Sequence, residues 1–139
     1  MNKKLIIGAV IMAVVVVVFL VNKGAVDYKD DKQDLIFVEL PEQGSVVGKD
    51  FSVIGKARGN WYFEASFPIR LLDKDGNLLY TAIAQAQSDW MTTDFVPFKA
   101  EVHAPTSYIG PATLVLEKDN PSGLPEHDDS VSLNIVVEY

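Results

Sequence analysis

Cysteine is absent from this 139-residue chain. That absence excludes disulfides, thiolate metal sites and cysteine nucleophiles. Histidine is scarce: the two copies, His103 and His127, fall on different predicted elements. Basic residues are few, twelve against nineteen acidic, for a net charge of -7 and a pI near 4.7. A nucleic-acid partner needs a basic face and is therefore not expected. There is no phosphate-binding glycine loop and no Gly-x-Ser-x-Gly elbow. No internal repeat of fixed period is present. The length allows one domain of ordinary size.

What the chain does have is one long apolar run. Leu5 to Val21 are apolar without interruption, with Lys3 and Lys4 before them and Lys23 after. As a helix this run spans about 25 Å, near the short end for a bilayer core of roughly 30 Å. Snorkelling lysines make up the difference. The competing reading is a cleaved signal peptide. Cleavage after Ala25 would put Lys23 at the third-last position, where a small residue is required. Residues 1–22 are therefore expected to be an uncleaved membrane anchor, through Leu5–Val21, and 23–34 a charged juxtamembrane linker. The positive-inside rule puts the amino terminus in the cytoplasm and the rest outside, as a single-pass protein. The part beyond the run keeps ten of the twelve basic residues and all nineteen acidic ones, a net of -9. That charge favours solubility and disfavours contact with an anionic lipid surface.

Residues 35–139 show period-two runs broken by turn chemistry, with no long helical pattern. The runs are Leu35–Leu40, Asp50–Ala57, Phe67–Leu72, Leu78–Ala86, Phe95–Ala104, Ala112–Glu117 and Ser130–Glu138. In the last, Val131, Leu133, Ile135 and Val137 share one face, the alternation of a half-buried antiparallel strand. About seven short strands with regular turn signals indicate an all-β, immunoglobulin-like antiparallel sandwich, with a barrel as the competing architecture. Packing alone must hold such a domain, and one of this size can manage it.

The densest aromatic cluster is Gly59-Asn60-Trp61-Tyr62-Phe63-Glu64-Ala65-Ser66-Phe67-Pro68. Alternation puts Trp61, Phe63 and Phe67 into the core and leaves Tyr62 and Glu64 outside. Trp90 is either presented on its loop or, the stronger reading, closes one end of the core with its indole N–H on a backbone acceptor. Tyr62, Glu64 and Trp90 are thus the candidate binding surface, since exposed Trp and Tyr are strong interface anchors. The loop Asp73-Lys74-Asp75-Gly76-Asn77 partly echoes a calcium site but lacks the later ligands, and a hairpin turn explains it. Glu117 to Asp129 reads as a solvated connection, with two prolines and His127 beside Asp128. No catalytic, cofactor or metal residue is assigned.

These motifs, in order, resemble a known family: Leu40-Pro41-Glu42-Gln43-Gly44, Phe51 to Gly59, Trp61 to Pro68, the Asp73–Gly76 turn, Ser88-Asp89-Trp90-Met91 and Val96-Pro97-Phe98-Lys99-Ala100. The chain looks like the immunoglobulin-like domain of bacterial spore germination, over roughly Ile36 to Val137. The resemblance implies an immunoglobulin-like sandwich, no catalytic activity, and partners among envelope proteins or cell-wall polymers. The expected function is a membrane-tethered, extracytoplasmic, non-catalytic binding module of the bacterial envelope. Two other readings compete. One is a hydrolase of cell-wall carbohydrate using Glu64, Asp89 and Glu126, which requires two acids facing each other across a cleft. The other is a structural spacer in a membrane complex.

Overall fold

The computed structural model describes residues 32–139. The anchor Leu5–Val21 and most of the linker 23–34 lie outside the described residues. Among the described residues no helix is long and apolar enough to cross a membrane.

Eight strands form the domain: β1 (Ile36–Leu40), β2 (Val46–Val47), β3 (Asp50–Arg58), β4 (Ser66–Asp73), β5 (Leu78–Ala86), β6 (Phe95–His103), β7 (Gly110–Glu117) and β8 (Ser130–Val137). Each of the seven expected runs is a strand, with ends shifted by a residue or two. The addition is β2, two residues lying parallel to β8 through Val46↔Val136 and Val47↔Val137. Two residues are too few to show a period, so this strand left no pattern to read.

The strands make one sheet in the order β1-β3-β6-β5-β4-β7-β8-β2. It curls into two packed halves. β3 and β6 pair along nine positions, Asp50↔His103 to Arg58↔Phe95. β5 and β6 meet only at Gln85↔Lys99 and Ala86↔Phe98, and beyond that corner they separate. The Tyr80 and His103 rings bridge the widening gap edge-on at 5.6 Å.

Alternation dictates the core. On β6, Val96, Phe98, Ala100 and Val102 are buried while Pro97, Lys99, Glu101 and His103 are exposed. On β8, Val131, Leu133, Ile135 and Val137 point inward, as the sequence requires. These residues, with Val53, Phe67, Ile69, Leu71, Leu114 and Leu116, form one continuous apolar core. Gly55 sits where β1 crosses β3 most closely: a Cβ there would lie 2.1 Å from the Phe37 carbonyl and 2.8 Å from the Phe98 ring.

The register assigns every loop to one of two ends. The first end gathers the incoming chain at 32–35, the turn after β3, the β5–β6 loop and the β7–β8 loop. The second gathers the segment from β1 through β2 to β3, the β4–β5 hairpin, the β6–β7 loop and Tyr139.

Candidate ligand-binding groove

The first end is built on a glycine. A Cβ on Gly59 would fall 1.8 Å from the Thr92 carbonyl oxygen and 2.4 Å from that of Trp90. No side chain fits there, so the β5–β6 loop packs directly on the backbone after β3. The Gly59 N–H donates to the Asp94 carbonyl at 3.1 Å. The chain then makes one 3-10 turn, Gly59–Trp61, closed by Tyr62 N–H to the Gly59 carbonyl.

That turn ends the period of two. The sequence expectation holds for Trp61 and Phe67, each 1% exposed. It fails for the pair between them: Tyr62 is buried at 3% and Phe63 is 40% exposed. Tyr62 packs edge-on to Phe67 at 5.2 Å and donates its hydroxyl to the Val96 carbonyl at 2.6 Å. Burial pushes the phenol well above its ordinary pKa, so it stays a neutral donor.

Phe63 is held out by a tight hairpin. Phe63 and Ser66 exchange backbone hydrogen bonds of 3.0 and 3.2 Å. Between them Glu64 and Ala65 have φ of +50° and +64°. Two positive φ values in a two-residue loop are the signature of a type I′ turn, which ordinarily takes Asn-Gly. Left-handed backbone costs a side-chain-bearing residue roughly 1–2 kcal/mol. Strain of this kind clusters where a particular geometry is used. Here the geometry projects the Phe63 ring, propped edge-on by half-buried Trp90 at 6.2 Å.

The facing wall is the β7–β8 loop. The sequence suggests a solvated, turn-rich connection, and the structure shows one that is exposed from Pro121 to Asp128 and organised by its own hydrogen bonds. Asp119 N–H donates to the Trp61 carbonyl at 3.0 Å, and Lys118 N–H to Asp129 at 2.9 Å. The Asn120 amide donates to the Leu124 carbonyl and to the Asp128 carboxylate, both at 2.8 Å. Its oxygen accepts from the Ser122 hydroxyl at 2.5 Å. Between the walls lies an open groove of about 320 Å³, with Asn60, Tyr62 and Phe63 on one side and Asp119, Pro121 and His127 on the other. Among the described residues the Asn60 and His127 side chains have no hydrogen-bond partner, so both are open to a ligand.

The three residues of the candidate surface therefore separate. Tyr62 is corrected from exposed to buried: it lines the groove with its ring, and its hydroxyl is committed to Val96. Glu64 is exposed at the tip of the turn, outside the groove, and among the described residues its carboxylate has no hydrogen-bond donor. Trp90 stands behind Phe63 as its support. Phe63, Asn60 and His127 were missed, because a groove made by two distant loops leaves no local signal. Of the acids considered for hydrolysis, none lines the groove, and Asp89 accepts from Met91 N–H at 3.0 Å. Asp73 closes the β4–β5 hairpin by accepting from Asp75 and Asn77 N–H. Among the described residues no group of three His, Asp or Glu is placed to hold a metal.

A second cavity of about 390 Å³ lies beside the groove, lined by Lys32, Glu117, Lys118, Asp128, Asp129 and Ser130. Lys32 spans it, ion-paired to Asp129 and donating to the Ser130 carbonyl at 2.9 Å. It holds the incoming chain against the loop.

Residues 35–123 match the immunoglobulin-like domain of bacterial spore germination. The chain belongs to this family. The matched residues of the germination-type domain include the aromatic turn and the start of the facing loop; β8 lies beyond them but completes the sheet. No curated protein matches the chain. Among solved structures it is similar to CopC from Methylosinus trichosporium OB3b, at 17% identity and a TM-score of 0.45, covering 74% of this chain and 93% of that one. A likeness at that level carries no argument about the site.

Proposed function

We propose that this germination-type domain is a membrane-tethered, extracytoplasmic binding module without catalytic chemistry of its own. Its ligand is an envelope protein or a cell-wall polymer, held in the groove between the aromatic turn and the β7–β8 loop. The observation that carries the reading is Phe63. A large apolar ring is kept exposed on a strained turn, propped by Trp90, with the open Asn60 side chain beside it and that of His127 opposite. Rigid aromatic area at low entropic cost, with a few polar groups to orient a ligand, is what recognition sites use. The tether is the apolar run Leu5–Val21, and the acidic charge suits a domain exposed outside the membrane. The hydrolase reading loses support because Glu64, Asp89 and Glu126 stay outside the groove.

The test is crosslinking and capture from the native envelope with the full chain, beside Phe63→Ala and His127→Ala. Both variants should melt within about 1 kcal/mol of the parent, as surface changes do. Both should lose the partner that the parent captures. Equal capture by all three would remove the groove and favour the spacer.

A further inference from the structure

On this acidic molecule the outer face of β1, β3 and β6 carries Glu39, Asp50 and Glu101, but cations and aromatic rings gather in its half nearest the incoming chain. On the outer face of β1, β3 and β6 the register sets Phe37 opposite Lys56, Lys56 opposite Pro97, and Arg58 opposite Phe95. Lys99 follows one pleat along, opposite Ile54. Residues two apart on a strand share a face about 7 Å apart, so three cations and two aromatic rings occupy one small mesh. The Arg58 guanidinium stacks 3.9 Å from the Phe95 centroid. Lys56 lies 4.7 Å from the same ring and 6.0 Å from Phe37. Neither Lys56 nor Arg58 has an acidic partner among the described residues; Lys99 has Glu101 at 3.4 Å. Cations held on aromatic faces instead of carboxylates keep their charge available to an external anion.

The patch lies where the chain comes in. Arg58 N–H donates to the Leu35 carbonyl at 2.8 Å, and its side chain donates to the Asp34 carbonyl at 2.9 Å. Between Val21 and Lys32 there are ten residues, a reach of at most about 35 Å. Given the anchor of the preceding section, on which this step rests, the patch is confined close to the bilayer. Interleaved lysine, arginine and aromatic side chains are the composition that settles at an anionic lipid interface. We infer that the β1-β3-β6 face docks on the anionic surface of the chain's own membrane, with Lys56, Arg58 and Lys99 facing lipid headgroups and Phe37 and Phe95 at the boundary. Net charge disfavours such contact, and Glu39 borders the patch; the local attraction comes from Lys56 and Arg58, which have no carboxylate partner among the described residues, beside Lys99. Docking this face leaves the groove at the domain end open to the envelope.

The absence of cysteine makes the test clean. The full chain is reconstituted in vesicles of neutral lipid or of neutral plus anionic lipid, with one fluorophore on Pro97→Cys or, in the opposite half, on Thr81→Cys. Quenching by headgroup-attached nitroxide is read. The label at 97 should be quenched on anionic vesicles and spared on neutral ones, while the label at 81 is spared on both. High salt should lower the quenching several-fold, since screening shortens the field to a few ångströms. In Lys56→Gln and Arg58→Gln the docked-to-free ratio should fall about fivefold for each cation removed. Equal quenching at both positions, or no dependence on anionic lipid, overturns docking. Flotation of the same samples reads the anchor separately: a chain that fails to float with any vesicle removes the tether, whereas one that floats undocked removes only this inference.

Discussion

Tyr62 and Phe63 are neighbours with opposite environments, and their mutants should separate cleanly. Trp61→Ala should cost about 3–5 kcal/mol, the range for deleting a large buried aromatic. The Trp61 indole N–H has no acceptor among the described residues, and burying it that way costs less than its ring contributes. Tyr62→Phe removes one hydroxyl and strips the Val96 carbonyl of that donor, for about 1–2 kcal/mol. Phe63→Ala and Glu64→Gln should each stay below about 1 kcal/mol. Urea melts of the four variants check this order. A large loss for Phe63→Ala would mean that its ring is structural. The sequence identifies Trp61 and Phe67 as core because alternation predicts them and the fold obeys. It misassigns the residues between because a 3-10 turn and two positive φ angles, at Glu64 and Ala65, reset the phase. Neither residue type announces such a backbone.

The elements were legible where local pattern and tertiary demand agree. β8 alternates cleanly and buries the four residues it advertises. The β4–β5 hairpin carries its own turn chemistry in Asp73 to Asn77, and its carboxylate supports a pH prediction. Hydrogen bonds, first from Asn77 N–H, hold the Asp73 carboxyl below its ordinary pKa of 3.8. A depressed pKa means that the fold favours the charged form. The contribution is therefore complete above about pH 4 and is lost as pH falls through the lower folded value. Acid melts should show Asp73→Asn with a shallower decline below pH 4 than the parent. Parallel curves would show that the turn does not couple to stability. Less legible was the β7–β8 loop, whose order depends on Asn120 and on Asp119 reaching Trp61 across the end of the sheet. Gly59 underlies that end, and its role is invisible without the Thr92 carbonyl pressed against it. Gly59→Ala should displace the β5–β6 loop and melt several degrees earlier, with amide exchange rising first around residues 59–63 and 88–94. Uniform protection loss across all strands would argue instead for a global effect.

At the level of the whole molecule, the two-ended arrangement gathers the groove, the Lys32 clamp and the incoming chain at one end. Fold class was readable from seven alternating runs; the curl of one continuous sheet was not, since it turns on two register pairs between β5 and β6. The proposed membrane topology has a direct check. Protease added to intact spheroplasts should remove the domain and leave an amino-terminal fragment containing Leu5–Val21. A mature chain beginning near Gly24 would instead identify a cleaved signal.

The path of β1 has a mechanical consequence. β1 runs from the end with the incoming chain toward the opposite end, antiparallel to β3, while β8 finishes at that opposite end beside Tyr139. Tension applied between residue 32 and Tyr139 is therefore directed along the strands. The four β1–β3 register pairs must slide together in shear instead of opening one by one like a zip. β8 is held by eight pairs to β7 and by β2, so β1 yields first. Single-molecule pulling across these points should show one early peak that weakens in Gly55→Ala, where the added methyl pushes β1 off β3. A pull applied between β1 and β3 at the same end, across their hydrogen bonds, should open the pair at much lower force.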